Sequence, residues 1–282
     1  MLKLTPQPIR IVDCYNDGED AKHFTFEPIG FNHNQDINIG QFFMLTVPGQ
    51  GQAAFTYTSL PDHSGRFVAL IRKVGKLTNA LFSLKDGGVL GYNGPFGTGW
   101  PIDKLDNAEV LIVAGGCGLA PLAATIDHLI NIGQAGHTTV IYGAGNAKSQ
   151  ILAKERARWN SKLLLIETLL TPSEALHLGT PSEHMATVLT EYHRQPKIIL
   201  TCGPQAMMKS VANVGLDLSI GSDKIWLSLE KRMRCGVGLC GHCYLADHLI
   251  CKQGPTYRYD KFLQLENKTT QFPVHTGLFS YC

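Results

Sequence analysis

Most of the features that would place this chain in a special class are missing. No apolar run approaches the ~20 residues that a membrane-spanning helix needs. The opening Met1-Leu2-Lys3-Leu4-Thr5-Pro6 has no apolar core of the kind a signal peptide carries. No membrane span is therefore expected, and the cytoplasm is the expected compartment. Net charge is almost absent as well, with 25 basic residues against 23 acidic ones, so there is no electrostatic footprint for nucleic acid. Internal repeats and low-complexity tracts are lacking. No paired carboxylates, nucleophile triad or metal-hydrolase cluster stands out, so a terminal catalytic site is expected on a partner and not here. What remains is a chain of 282 residues, 44% hydrophobic, long enough for two domains with proper cores.

Cysteine is what the chain does have, eight in all. In a reducing compartment a disulfide framework is not expected. Four of the eight, Cys235, Cys240, Cys243 and Cys251, follow a C-x4-C-x2-C-x7-C spacing, and the first three match the plant-type pattern for a [2Fe–2S] cluster. Gly236, Gly238 and Gly241 can take positive φ and bring backbone N–H groups close to sulfur. Lys231, Arg232 and Arg234 precede the first ligand, where positive charge would favour the reduced cluster; the same run also suits a solvated face or a docking patch for an acidic partner. Structural zinc is the competing reading, since Cys240-x2-Cys243 is a zinc-like pair and His242 and His248 are near. Zinc sites usually bring two close pairs, and the four-residue gap after Cys235 breaks that habit. Of Cys14, Cys117, Cys202 and Cys282, only Cys202 has a context that suggests chemistry.

The first hundred residues read as short strands, such as 42–47 and 67–71, separated by Gly, Pro, Asn and Asp, which suggests a small antiparallel barrel. One helical stretch, 77–84, follows Gly75. After Gly94-Pro95-Phe96-Gly97-Thr98-Gly99-Trp100-Pro101 the pattern changes to alternation. Strands are expected at 110–114, 138–142, 162–167 and 197–201, with helices at 121–132 and around 150–159, which implies a doubly wound parallel sheet. The expected division is 1–104 for the β-barrel, 105–225 for the α/β domain, 226–262 for a [2Fe–2S] segment and 263–282 for a polar tail, mobile or partner-bound; the family resemblance given below implies that the first binds FAD and the second NAD(P).

Gly115-Gly116-Cys117-Gly118-Leu119-Ala120-Pro121 lies between a buried strand and a helix start, where free N–H groups and the helix dipole favour a pyrophosphate. Tight turns also use glycine for backbone reasons alone. The ordinary dehydrogenase fingerprint is not met, because Pro121 stands at the third glycine and Gly145-Asn146 follows the second strand in place of a ribose-binding acid. Cys202-Gly203-Pro204 follows another strand, at the sheet edge where ligands bind; the bland reading of Cys202 is a small buried hydrophobe.

Taken in order, Ala54-Phe55-Thr56-Tyr57-Thr58, Gly75-Lys76-Leu77-Thr78, the 115–121 turn, Cys202-Gly203-Pro204-x-x-Met207 and the cysteine cluster resemble the ferredoxin–NADP reductase-like superfamily. More narrowly, the chain resembles the FAD/[2Fe–2S] electron-transfer subunits of cytoplasmic NiFe hydrogenases (gamma subunit) and of anaerobic sulfite reductases, with the dihydroorotate dehydrogenase electron-transfer subunit as a cousin. The resemblance spans about residues 5 to 262. Its most specific stretch is Trp226-Leu227-Ser228-Leu229-Glu230-Lys231-Arg232-Met233-Arg234-Cys235-Gly236.

The resemblance implies that Phe55, Thr56, Tyr57 and Thr58 line the flavin, with Thr58 near its reactive nitrogen. It implies that Ile71 and Lys73 contact FAD and that Gly75, Lys76, Leu77 and Thr78 hold its pyrophosphate. For the nucleotide it implies Gly115, Gly116, Gly118, Leu119, Ala120, Gly143, Gly203, Pro204 and Met207, with Cys202 beside the nicotinamide. Tyr57 as a barrel core residue and Thr78 as a simple helix cap are the bland alternatives. Many reductases have Arg where Phe55 stands, a lost phosphate partner for which Arg72 or Lys76 could compensate; relatives also often have Arg at Gly145. The implied function is electron transfer between NAD(P)H and a partner redox enzyme through FAD and a [2Fe–2S] cluster. A NiFe hydrogenase is the first choice of partner, with an iron–sulfur subunit alongside, and sulfite reductase or dihydroorotate dehydrogenase the alternatives. From another class, the rival is a zinc-stabilised nucleotide-sensing module.

Overall fold

The computed structural model describes residues 5–31, 33, 36–173 and 176–271. The antiparallel β-structure expected at the start and the strand–helix alternation after it are both present. The first sheet is built from β1 (Gln7–Asn16), β2 (Ala21–Pro28), β3 (Phe42–Val47), β4 (Gly51–Thr56), β5 (Phe67–Arg72) and β6 (Val89–Phe96), with a short helix α1 (Lys76–Phe82) between the last two. Its strand order is β4-β3-β6-β1-β2-β5, antiparallel at every pairing. Beyond the end of β4 the chain meets β5, Thr58 N–H donating to the Val68 carbonyl at 2.8 Å, so the two edges approach and curl the sheet into a barrel. Strand alternation sends Phe24, Phe26, Phe43, Phe67 and Tyr92 inward to fill it.

His33 is wedged into this aromatic core, 5% exposed, with its ring 4.9 Å from Tyr92 and 5.3 Å from Phe67. Among the described residues neither ring nitrogen finds a hydrogen-bond partner outside its own residue. Burial therefore pushes its pKa below the ordinary value. As pH falls through about 6.5 the unfolded chain takes up this proton while the folded chain resists it, so stability is lost on the acid side. We expect His33→Phe to flatten the fall in melting temperature between pH 7 and pH 5; parallel wild-type and variant curves in a pH series of thermal unfolding would contradict this.

The second sheet contains β7 (Val110–Gly115), β8 (Thr138–Ala144), β9 (Leu164–Leu169), β10 (His177–Leu178), β11 (Ile198–Cys202), β12 (Ile225–Ser228) and β15 (Thr256–Arg258), in the order β10-β9-β8-β7-β11-β12-β15. All neighbours are parallel except β12 and β15. Helices α2 (Ala120–Asn131) and α3 (Ala153–Asn160) follow β7 and β8, while α4 (Pro181–Glu191) and α5 (Gln205–Asp217) flank β11. Along β7 the side chains alternate: Leu111 and Val113 pack with Met185, Val188 and Val211, whereas Val110, Ile112 and Ala114 pack with Leu122, Ile126 and Trp159. A strand covered on both faces has no polar side to show, which is why 110–114 reads as an unbroken apolar run.

Between β12 and β15 the chain makes a small hairpin, β13 (Tyr244–Leu245) with β14 (His248–Leu249), and a turn of helix, α6 (Ile250–Gln253). The four candidate cluster ligands lie here, and the stretch 226–262 thus contributes two strands to the nucleotide domain's sheet. It also leans on the barrel. Gln52 donates to the Arg234 carbonyl at 2.5 Å, Thr98 N–H donates to the Gly254 carbonyl at 2.6 Å, and Gly236 packs against Met44 and Phe96.

The polar tail expected from 263 onward is, as far as it is described, the helix α7 (Tyr259–Gln271). Phe262 and Leu265, three residues apart on one face, are buried against the sheet, and that spacing outweighs the polar composition. Residues 272–282, including Cys282, lie outside the described residues.

Candidate functional site

Barrel, nucleotide domain and cysteine segment meet at a cleft of about 280 Å³. Its barrel wall is formed by β4 (Ala54, Phe55, Thr56), the end of β5 (Leu70, Ile71, Arg72), Val74 and Thr78. The opposite wall brings Cys117, Ala120 and Pro121 from the glycine turn and Cys202 from the end of β11. Ser228, Leu229, Glu230, Lys231 and Met233 close it on the side of the cysteine segment. A larger groove of about 750 Å³ at the far edge of the nucleotide domain, around Arg194 and Lys224, gathers none of the candidate residues.

The barrel residues sort in two. Phe55 and Thr56 line the cleft, but Tyr57 and Thr58 do not. Tyr57 is 1% exposed, its hydroxyl is 2.5 Å from that of Tyr92, and its ring packs on Phe43 at 4.8 Å, so it is a barrel core residue. The Thr58 hydroxyl accepts from Leu70 N–H at 2.9 Å, behind the wall that Leu70 itself presents. The reason is that β4 ends at Thr56 and the chain then turns to pair with β5.

Ile71 reaches the cleft although its side chain belongs to the barrel core. Lys73 lies outside the cleft, its ammonium 6.0 Å over the Phe82 ring. Gly75 is fully extended (φ −171°, ψ −174°) and a Cβ there would meet nothing within 4 Å, which leaves open space beside the exposed Lys76 and the start of α1. Thr78 is more than a cap. Its hydroxyl accepts from Val74 N–H and Gly75 N–H, both at 3.0 Å, and donates to the Gly75 carbonyl at 3.1 Å, so it holds the turn in place.

The glycines of the nucleotide domain likewise divide by what surrounds them. A Cβ on Gly116, whose φ is +53°, would meet open space. One on Gly118 would lie 2.2 Å from the Cys202 carbonyl oxygen, one on Gly115 would lie 2.5 Å from the Met207 sulfur, and one on Gly143 would strike Pro181 at 2.5 Å. These last three are demanded by packing, and Leu119 is wholly buried in the core. Ala120 shows a face to the cleft. Cys202 is buried at the cleft floor, its thiol donating to the Ser228 carbonyl at 3.7 Å; Gly203 (φ +148°) and the exposed Pro204 then lead into α5.

Cys117 and Glu230 are among the cleft residues that go beyond the candidates that the sequence supplies. Cys117, whose neighbours in sequence suggest no chemistry for its thiol, lines the cleft with that thiol 4.0 Å from Arg72 Nη1, and burial pushes its pKa up to about 11. Arg72 itself is held by Asp20 at 2.7 Å. Glu230 faces the cleft, whose walls desolvate its carboxyl and raise its pKa. Its signal in the sequence is its place two residues past a strand, at the carboxyl edge of the sheet.

The cysteine segment forms a nest for anionic sulfur. Burial would raise the pKa of Cys235, but N–H groups of Cys240, Val237 and Leu239 point at its sulfur and bring it down to about 7. Gly236, Gly238 and Gly241 have φ of +71°, +79° and +72°, as this wrapping requires. The sulfurs fall into two pairs, Cys235 with Cys240 and Cys243 with Cys251. A single zinc would gather all four at roughly 3.8 Å from one another, given its ~2.3 Å bonds and tetrahedral geometry. The pairing of the sulfurs two by two suits two irons that each take two of the ligands. Cys243 and Cys251 are buried, whereas Cys240 and the neighbouring Leu239 are exposed. Met233 in the cleft wall is two residues from Cys235.

Comparison with known proteins accounts for the same three parts. Residues 9–100 match the family described as the oxidoreductase FAD-binding domain, 112–213 the oxidoreductase NAD-binding domain, and 230–263 the iron–sulfur cluster binding domain of dihydroorotate dehydrogenase B. The chain is 30% identical to sulfhydrogenase 2 subunit gamma of Pyrococcus furiosus over 86% of each chain. It is 33% identical to a probable dihydroorotate dehydrogenase B (NAD(+)) electron transfer subunit of Methanocaldococcus jannaschii over 91% of each. Among solved structures, an NADH-dependent reduced ferredoxin–NADP oxidoreductase has the same fold, with a TM-score of 0.69, 21% identity, and 93% of this chain and 95% of that chain covered.

Proposed function

Because this chain belongs to the family of electron-transfer subunits that join FAD-binding, NAD-binding and dihydroorotate dehydrogenase B-type iron–sulfur domains, we propose that it carries electrons between NAD(P)H and a NiFe hydrogenase partner in the cytoplasm. Sulfite reductase is the second choice, and dihydroorotate dehydrogenase, supported by the relative in M. jannaschii, the third. No described helix is long and apolar enough to cross a membrane. When bound, FAD and the cluster supply the exchange of a hydride's two electrons for single electrons.

The observation that carries the reading is the junction of all three parts at one cleft, with a sulfur ligand two residues from its wall. Phe55 and Thr56 take the flavin-facing roles that the resemblance extends to Tyr57 and Thr58. The turn at Gly75, open to a ligand and stiffened by Thr78, receives the FAD pyrophosphate on the free N–H groups that begin α1. Arg72 adds positive charge at the same wall in place of the arginine absent at position 55. The N–H groups around Gly116 at the start of α2 serve the nucleotide pyrophosphate, and Cys202 shapes the floor beneath the nicotinamide. Glu230, its carboxyl pKa raised by burial, stands beside that floor. Leu239 and Cys240, exposed at the loop tip, form the outlet face.

Chemical analysis of anaerobically purified protein tests the assignment. About two iron, two sulfide and one FAD per chain are expected, with a rhombic paramagnetic signal on reduction and hydrogenase activity in the co-purifying subunits. Full zinc occupancy without acid-labile sulfide would end the electron-transfer reading; sulfite reductase or dihydroorotate dehydrogenase activity would move the partner to the second or third choice.

A further inference from the structure

Side chains and backbone of the turn between β1 and β2 reach two separate parts of the molecule. Asp17, 6% exposed, accepts from Leu152 N–H at 2.5 Å and Ala153 N–H at 3.2 Å. These residues immediately precede and begin α3, so a carboxylate of the barrel caps a helix of the nucleotide domain. Leu152 is left-handed, with φ 59°, a conformation that a bulky residue keeps only where its surroundings impose it.

The contact is continued along the turn. Glu19 N–H donates to the Lys148 carbonyl at 2.9 Å, and Gly18 (φ +79°) lies so close to the Gln150 carbonyl that a Cβ would stand 2.7 Å from it. His23 Nε2 is 2.8 Å from Asp17 and 3.9 Å from Glu155, and Tyr15 stacks on its ring at 4.6 Å. His23, Asp17 and Glu155 are ligand types that suit a cation, but both Asp17 oxygens already accept N–H groups, which makes this a hydrogen-bonded clasp. At its other end the turn grips the flavin side: the Asp20 carboxylate holds Arg72 Nε at 2.7 Å, and its carbonyl accepts from Lys73 N–H at 2.7 Å.

We propose that this turn is a positioning clasp, in which Asp17 fixes the loop after β8 against the barrel and so sets the distance between nicotinamide and flavin. That loop, 145–152, leaves the carboxyl end of a parallel strand, where nucleotides bind in such sheets. The clasp rests on the reading that the barrel holds FAD and the α/β domain the nucleotide. Asp17 touches neither and acts through Leu152 and the loop before it.

The test is stopped-flow reduction of the FAD-loaded, cluster-containing full chain by saturating NADH or NADPH. Because a misplacement of about 1 Å between reacting groups costs up to ~100-fold, Asp17→Ala is expected to slow flavin reduction roughly 10- to 100-fold. FAD content, iron content and reduction by dithionite should stay at wild-type levels, which a merely misfolded variant would not manage. Asp17→Asn, which keeps one acceptor oxygen but sets an NH2 against the second N–H, should slow flavin reduction by less than alanine yet measurably, and it is the deciding variant if the alanine variant does not fold. Wild-type saturating rates in every variant that folds, whatever its melting temperature, would overturn the clasp. Failure of the wild-type chain to bind FAD or to be reduced by either nucleotide would instead remove the functional reading, and the clasp would fall with it.

Discussion

Replacing Cys240 by Ser is expected to leave a folded, FAD-bound chain that NAD(P)H still reduces but that passes nothing to its partner. Cys240 is the ligand to choose because it is exposed at the loop tip. Cys243 and Cys251 are packed into the core with Leu245, Ile250 and Tyr257, where a substitution would confound redox loss with unfolding. Ferricyanide can take electrons from flavin directly, so NAD(P)H-driven ferricyanide reduction should stay within a few-fold of wild type. The rhombic paramagnetic signal should be lost or perturbed, and electron exchange with the partner should drop to background. The measurement needs the reconstituted complex, with assembly checked separately so that failed docking is not mistaken for failed transfer. Wild-type partner turnover in an assembled complex without the cluster would show that flavin delivers electrons directly and that the sulfur site is structural.

Gly75→Val and Gly118→Ala should have opposite consequences. At Gly75 the backbone is already extended, as valine prefers, and a Cβ meets open space, so stability should change by no more than about 0.5 kcal/mol. The side chain would stand where the FAD pyrophosphate approaches. Loss of one hydrogen bond to a charged group, worth ~1.5–3 kcal/mol, should weaken FAD binding by roughly 10- to 100-fold. At Gly118 the added methyl meets the Cys202 backbone at 2.2 Å, which no side-chain rotation relieves. Overpacking of ~1–3 kcal/mol or more is expected, with a lower melting temperature and a disturbed nucleotide site. Isothermal FAD titration and thermal unfolding of both variants separate the outcomes. If Gly75→Val binds FAD as wild type does, the turn has been misassigned.

The parts of this molecule that are legible in the sequence are those whose physics is local. Four cysteines within one short segment carry their ligand spacing with them, and a strand buried on both faces, such as β7, declares itself by an unbroken apolar run. Helix α4 has an equally local signal, though not one that the strand–helix alternation brings out: Thr180-Pro181-Ser182-Glu183 is a capping box with proline in the first turn, and Glu183 accepts from Thr180 N–H at 2.6 Å. Which of four successive residues from Phe55 to Thr58 face the cleft is not legible, because it depends on where β4 stops pairing and begins to turn toward β5. Cys117 and Glu230 are hidden for a different reason: each becomes a cleft residue only through walls contributed by distant segments. The grip of Asp17 on Leu152 spans 135 positions, and no pattern in either neighbourhood points to the other.

The antiparallel pair β12 and β15 makes the cysteine segment an insertion with a single neck. Ser228 pairs with Thr256 across that ladder, so the stretch 229–255 leaves the sheet and returns to it at one place, like a purse drawn shut at the neck. Its own strands, β13 and β14, pair with each other and belong to neither large sheet, and closing such a loop adds only slowly to the entropic cost as its length grows. The segment is nonetheless no loose appendage: Cys243 and Cys251 share one core with Met44 of the barrel and Val113 of the second sheet, so Cys240, exposed at the tip, is where this neck-tied loop meets solvent.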